Sequence, residues 1–153
     1  MRRARGFSLL EIVIVVVIIG VIGAIAIPRL SRASQGVRVG AFAADLNTFS
    51  KAIDRYELES GQDAPDTVTG KLPVELHDYI NQKDWEELTP LGGYWDIERD
   101  EHGVTLAIGV HYLGVSGDVP DLRDLDREID DGNLSTGRFQ RLDTRRFYLI
   151  IEP

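Results

Sequence analysis

An apolar run near the N-terminus constrains this chain more than any other feature. The run extends from Phe7 to Ile27, 21 residues rich in valine and isoleucine, and a single carboxylate, Glu11, interrupts it near its start. A helix of this length is about 31 Å long, close to the roughly 30 Å hydrocarbon core of a bilayer. The run therefore predicts a membrane-spanning helix. Because a charge inside such a segment is costly, we expect Glu11 to have a function.

Three arginines, Arg2, Arg3 and Arg5, precede the apolar run. The positive-inside rule places this end in the cytoplasm and the rest of the chain on the other side of the membrane. Two alternatives use the same residues. One is a secretory signal peptide cut after Ala24-Ile25-Ala26, although the run is longer than the usual apolar region of about 7–15 residues. The other is an uncleaved signal anchor. Neither alternative gives Glu11 a role.

The segment Gly6-Phe7-Ser8-Leu9-Leu10-Glu11 resembles the processing site of type IV prepilins and type II secretion pseudopilins. In that family a prepilin peptidase cuts after the glycine on the cytoplasmic face, and the new first residue is N-methylated. The resemblance implies cleavage between Gly6 and Phe7 and methylation of Phe7. Glu11 then becomes the fifth mature residue and Pro28 the twenty-second, positions where the family has its signature glutamate and commonly a proline.

The resemblance also implies an organisation. Residues 1–6 are the leader peptide, 7–28 the transmembrane and assembly helix, and 29–153 the amphipathic half of the helix plus a periplasmic globular head. The mature chain would be a single-pass inner-membrane protein that assembles into a filament. Its implied partners are the prepilin peptidase, copies of itself, other pseudopilins and an inner-membrane assembly platform.

Within the family, the small head and the absence of cysteine favour the major, G-type pseudopilin of type II secretion, which serves protein secretion across the outer membrane. Residues 89–95 (TPLGGYW) are similar to the entry into that subunit's sheet, with Leu91 where tryptophan is usual. Two other functions stay open. One is a surface type IV pilin for adhesion, motility or DNA uptake, and the other is a membrane-anchored or secreted monomeric binding domain.

The chemistry expected of Glu11 follows from its surroundings. A carboxylate buried among packed apolar helices needs a cationic partner. The α-amine of Phe7 on a neighbouring subunit, which cleavage exposes, would supply one. The alternative is that Glu11 reaches the membrane interface by itself. Further along the helix, Gly20, Gly23 and Pro28 predict either a bend with local melting or close packing through small residues.

The rest of the sequence predicts an α+β, pilin-like fold, in which one long N-terminal helix packs on a small antiparallel sheet. The second half of this helix bears an apolar stripe with alternating steps of three and four residues, and another element must cover that stripe. Ser60-Gly61 ends the helix. A short helix is predicted over 73–82. Strands are predicted over 94–99, 104–112 and 146–152, with a turn at 100–103. The stripe comprises Val39, Phe42, Leu46, Phe49, Ile53 and Tyr56.

An acidic segment, residues 118–131, contains seven acidic residues and two arginines and runs into Gly132 and Asn133. Calcium binds six to eight oxygen ligands, and a glycine permits the tight turn that such a loop needs. The major pseudopilin has a calcium site beside its last strands. The resemblance therefore makes calcium a possible cofactor. The alternative is a solvated helix over 121–129, closed by a turn. The candidate ligands are Asp130, Asp131 and Asn133, with Asp124 and Asp126 as additions.

Several functions are excluded by the sequence. The absence of cysteine excludes disulfides, thiolate zinc sites and cysteine nucleophiles. The sequence has none of the G-x-S-x-G, P-loop or H-E-x-x-H motifs, so an enzyme is not expected. Without residues 1–6, the chain has 14 basic and 25 acidic residues, a net charge of −11. Such a chain is a poor partner for nucleic acid.

Overall fold

The longest element is a helix, α1, which runs from Leu9 to Ser60. The computed structural model describes residues 8–113 and 120–153. The backbone of α1 is helical at Gly20, Gly23 and Pro28, so the helix continues past the proline. It ends as predicted, because Gly61 adopts a φ of 63° and donates its N–H to the Glu57 carbonyl at 3.0 Å.

The chain divides into two units, Met1–Gly36 and Val37–Pro153. In the first unit, Leu9–Ile27 is long and apolar enough to cross a membrane. Its large apolar side chains are exposed, between 48% at Val13 and 81% at Leu9. An apolar surface of this extent is stable in lipid or against other apolar surfaces, not in water.

In the second unit, α1 buries the apolar stripe that the sequence predicted. Phe42 stacks on Trp95 with 4.7 Å between ring centroids, and Phe49 meets the edge of Trp95 at 5.0 Å. Trp85 is fully buried and lies 5.2 Å from Phe49. These aromatic rings join the helix to the sheet and form the centre of one core. All six stripe residues are buried: Val39, Phe42, Leu46, Phe49, Ile53 and Tyr56.

The sheet has four antiparallel strands in the order β1-β2-β4-β3, and this confirms the α+β, pilin-like fold class. The prediction of three strands was incomplete. The additional strand has three residues and lies on the edge of the sheet beside β4, too short for an alternating pattern to reveal it. The strands are β1 (Tyr94–Glu101), β2 (Val104–His111), β3 (Phe139–Arg141) and β4 (Arg146–Glu152).

The turn between β1 and β2 is shorter than predicted, because β1 extends to Glu101 and pairs with Val104. Only His102 and Gly103 remain in the turn, with φ values of 53° and 81°. Two successive positive φ values are typical of the tight turn that matches the twist of a hairpin.

The predicted helix over 73–82 was wrong. The chain instead forms a 3₁₀ turn at Val74–Leu76 and then a separate helix, α2, at Gln82–Glu86. Asn81 explains the break, because its side chain accepts the Lys83 N–H at 2.9 Å and so begins a new helix. Leu76 and Ile80 are both buried in the core.

Replacing Phe42 by alanine tests the contact between helix and sheet. Because the ring is fully buried and stacks on Trp95, Phe42→Ala should lower the free energy of unfolding by about 3–5 kcal/mol. Leu58→Ala, at an 85% exposed position of the same helix, should change it by less than about 0.5 kcal/mol. Denaturant unfolding of the full chain in detergent, followed by tryptophan fluorescence, measures both. Equal values for the two variants would contradict this packing.

Candidate functional site

Two regions contain the residues that the sequence singled out. The first is the start of α1, where Glu11 lies in the first turn. The Glu11 carboxylate accepts the Ser8 N–H at 3.4 Å, and a negative charge is favourable at a helix N-terminus. Gly6 and Phe7 lie outside the described residues. Pro28 lies within α1, one residue after the apolar segment Leu9–Ile27.

The second region is the acidic segment, where α3 spans Pro120–Ile129. This confirms the predicted helix over 121–129. Leu122 and Leu125 are buried and anchor α3 to the core. Asp126 follows Leu125 and is also fully buried. The helix and the acidic cluster do not exclude each other, because Asp126 lies in the last turn of α3 and Asp130 and Asp131 follow its end.

Three carboxylates meet at the end of α3. Oxygens of Asp126, Asp130 and Asp131 all lie within 4.8 Å of one another. Each carboxylate repels the other two, and the C-terminal end of a helix adds a partial negative charge. The arrangement therefore favours a cation at this place.

The buried carboxylate of Asp126 is the most unusual group in the cluster. Neither of its oxygens has a hydrogen-bond partner among the described residues. Burial is the main reason that the pKa of Asp126 rises to about 6, and the charges of Asp131 and Asp130 raise it further. A buried, unpaired carboxylate is costly, so it calls for a proton or a bound cation.

The other two carboxylates are held in place by the following loop. Asp130 accepts the backbone N–H groups of Arg138 and Phe139, the latter at 2.8 Å. Gly137 lies against the Asp130 carboxylate with a φ of 76°, so a side chain there would collide with it. Asp130 therefore ties the end of α3 to the start of β3. The loop residues that fix it were not predicted, because only the fold brings them to α3.

Asp131 is held by the turn that follows it. Its carboxylate accepts the Asn133 N–H at 2.8 Å and the Thr136 hydroxyl at 2.6 Å. Gly132, with a φ of 81°, makes the turn possible. Asn133 and Thr136 therefore hold Asp131 in place without a cation.

Two of the five candidate ligands are engaged elsewhere. An Asp124 oxygen pairs with the Arg127 guanidinium at 2.6 Å, on the exposed side of α3. The Asn133 side-chain oxygen accepts the Ser135 N–H at 3.2 Å. The structure thus brings together Asp126, Asp130 and Asp131 and gives Asp124 and Asn133 other partners.

A second group, Glu98, Glu101 and His102, also places three possible ligand atoms within 4.8 Å. Here the buried Glu98 carboxylate already has partners, the Arg146 guanidinium and, at 3.1 Å, His102 Nδ1. A buried carboxylate with an arginine partner has no need of a metal ion. We therefore assign this group to the stability of the sheet.

Another buried carboxylate, Asp96, is satisfied by hydrogen bonds. It accepts the hydroxyl groups of Tyr148 at 2.6 Å and Thr67 at 2.8 Å. Burial, followed by the charge of Asp96, raises the pKa of Tyr148 above its usual range. Asp126 thus differs from Asp96 and Glu98, because it has no hydrogen-bond partner among the described residues.

Comparison with known proteins identifies the N-terminal segment. The family described as the prokaryotic N-terminal methylation motif matches residues 1–27. This motif is typical of type IV pilin-like proteins and pseudopilins, and the match confirms the resemblance seen in the sequence. No curated protein and no solved structure matches the chain. The match covers the N-terminal segment, and the rest of the chain has the α+β arrangement described above.

The raised pKa of Asp126 predicts a pH dependence for the calcium-free chain. The folded state holds the proton up to about pH 6, whereas the unfolded state releases it near pH 3.8. The stabilisation that protonation provides is therefore complete below about pH 4 and is lost as the pH rises through 6. Unfolding of the full chain in the presence of a calcium chelator should show this loss between pH 4 and 7.

Two variants make the pH test specific. Asp126→Asn removes the titrating group, so this part of the pH dependence should disappear. Glu128→Gln makes the same charge change at an exposed position of α3 and should keep it. Equal pH profiles for wild type and Asp126→Asn would contradict the assignment.

Proposed function

We propose that this protein is a structural subunit of a pilin-like filament, made as a precursor and cut by a prepilin peptidase between Gly6 and Phe7. The observation that carries the proposal is the methylation motif at residues 1–27. Helix α1 begins within this motif and runs to Ser60, in the α+β part of the chain. The motif is in general a signal for the prepilin peptidase, and its family is structural rather than enzymatic. The function is therefore assembly.

The exposed apolar surface of Leu9–Ile27 supports this function. It suits lipid before assembly and the packed core of a filament afterwards. In the membrane the chain would cross once, with the N-terminus cytoplasmic and the second unit in the periplasm. In the filament, Glu11 would pair with the methylated α-amine of Phe7 on a neighbouring subunit. Uncut protein cannot form that pair, because its amine lies six residues further away.

Within this class we propose a type II secretion pseudopilus, in which the subunit serves protein secretion across the outer membrane. The absence of cysteine and the small second unit support this function over that of a surface pilin. The partners would be other pseudopilins and an inner-membrane assembly platform. Deletion of the gene separates the two functions, because loss of secretion with normal motility and DNA uptake would support the pseudopilus, and the reverse would support a surface pilus.

Substitution of Glu11 tests the assembly step. Glu11→Gln keeps the shape and removes the charge, so filament formation should fall at least tenfold, since a buried amine would lose its partner. Glu11→Asp keeps the charge and should retain more assembly than Glu11→Gln. Chemical cross-linking in cells and electron microscopy of sheared filaments measure assembly. N-terminal sequencing must show normal cleavage in each variant, and normal assembly of Glu11→Gln would contradict the role.

We also propose a calcium ion at the end of α3, held by Asp126, Asp130 and Asp131. The buried carboxylate of Asp126, which has no hydrogen-bond partner among the described residues, supports the site, because a cation would satisfy both of its oxygens. Carboxylate oxygens suit a hard cation such as calcium. Bound there, calcium would neutralise the carboxylates and hold the end of α3 beside the start of β3. Asp124 pairs with Arg127, and the Asn133 side-chain oxygen accepts the Ser135 N–H, so neither belongs to the proposed ligand set.

Calcium addition to the chelator-treated full chain should raise its melting temperature, and isothermal titration should show one site. Asp126→Asn should lose both effects, whereas Glu128→Gln, at an exposed position on α3, should keep them. Magnesium should bind more weakly, because it requires octahedral geometry and keeps its water. A melting temperature that calcium leaves unchanged would contradict the site.

A further inference from the structure

Two arginines follow the apolar segment directly. Arg29 and Arg32 lie in the first unit, two and five residues after Ile27. Arg29 is exposed, and Arg32 follows it by three residues, which places both positions on one face of α1. The sequence has no acidic residue between Glu11 and Asp45. The arginine pair therefore has no acidic neighbour along its own helix.

The depth of the pair in a membrane follows from helix geometry. At about 1.5 Å per residue, Arg29 lies about 3 Å and Arg32 about 7.5 Å beyond Ile27 along the axis. The polar headgroup layer on each side of a bilayer is roughly 5–7.5 Å thick. If Leu9–Ile27 fills the hydrocarbon core, both positions fall at the level of the lipid phosphates. A guanidinium can bind a phosphate through two parallel hydrogen bonds.

Cleavage changes which basic residues flank the span. The precursor has Arg2, Arg3 and Arg5 on the cytoplasmic side, and removal of residues 1–6 takes all of them away. In a chain that begins at Phe7, the arginine pair contains the nearest basic residues on either side of the span. The next one along the chain, Arg38, belongs to the second unit and donates from Nε to the Pro90 carbonyl at 2.8 Å. Cleavage thus leaves the arginine pair as the nearest basic side chains to the span, with the α-amine of Phe7 as the cationic group at its other end.

We propose that Arg29 and Arg32 bind the phosphates of anionic phospholipids in the periplasmic leaflet and fix the depth of the cut subunit before it assembles. This inference rests on the membrane orientation in the proposed function and goes beyond it by naming a lipid as a ligand. The depth of the pair favours lipid over an acidic surface on a second copy of the chain. The strongly acidic second unit is repelled by an anionic membrane, which makes a basic anchor beside the span more necessary.

The test is lipid binding by the full mature chain, starting at Phe7, in neutral detergent. Native mass spectrometry measures the affinity for phosphatidylglycerol and for phosphatidylcholine. Each basic residue near an anionic surface contributes about fivefold, so the pair should give a preference of roughly thirtyfold for phosphatidylglycerol. Arg29→Gln/Arg32→Gln should lose most of this preference. Lys51→Gln, the same charge change on α1 in the second unit, should keep it.

Three further measurements test whether the arginine pair itself binds the lipid phosphates. Arg29→Lys/Arg32→Lys should retain part of the preference, because the charge remains but the two-pronged geometry is lost. Millimolar inorganic phosphate should not displace the lipid. In the uncut chain the double glutamine variant should lose a smaller share, because the leader arginines also bind. Circular dichroism confirms that each variant keeps its helix.

An unchanged lipid preference in Arg29→Gln/Arg32→Gln would overturn the proposal. So would a variant that loses self-association but not lipid preference, because the pair would then bind a second copy. This assay does not require filaments or the peptidase. A failure of assembly in cells with an intact lipid preference would therefore count against the proposed function alone.

Discussion

Helix α1 has two parts that need different surroundings, and the rest of the structure depends on how each part is covered. Over Leu9–Ile27, α1 exposes apolar side chains on all sides, which lipid or other helices can cover. From Val39 to Tyr56 it is apolar on one stripe only, and the sheet covers that stripe through the stack of Phe42 on Trp95. The membrane part and the sheet-packed part are thus continuous in sequence but are stabilised by different surroundings.

Much of this fold follows from the sequence, because its signals are long and periodic. The stripe of α1 repeats over five intervals, and strands β2 and β4 are rich in β-branched and aromatic residues. Shorter elements leave no such pattern. Strand β3 has three residues and exists because β4 offers it an unpaired edge. The break at Asn81 depends on one side-chain cap, which outweighs the helical spacing of Leu76 and Ile80.

In the acidic segment, the fold decides which carboxylates come together, and the sequence alone does not predict this. The sequence favoured Asp130, Asp131 and Asn133 as calcium ligands and added Asp124 and Asp126, but the fold groups Asp126 with Asp130 and Asp131. Leu122 and Leu125 orient α3 so that Asp126 is buried, while Asp124 lies on the exposed side beside Arg127. Asp130 and Asp131 join Asp126 only because the loop before β3 returns to the helix end. Among the described residues Asp126 has no hydrogen-bond partner, a property of the folded chain that the spacing of the sequence does not predict.

The central claim is that the N-terminus is processed for assembly, and intact-mass measurement with N-terminal sequencing of the membrane-bound protein from its native host tests it most directly. The account predicts a chain that begins at Phe7 and carries one methyl group on its α-amine. A chain that begins at Met1 would make the protein a simple anchored domain. A chain that begins at Ile27 would make it a secreted domain and leave Glu11 without a role, and either result would contradict the account.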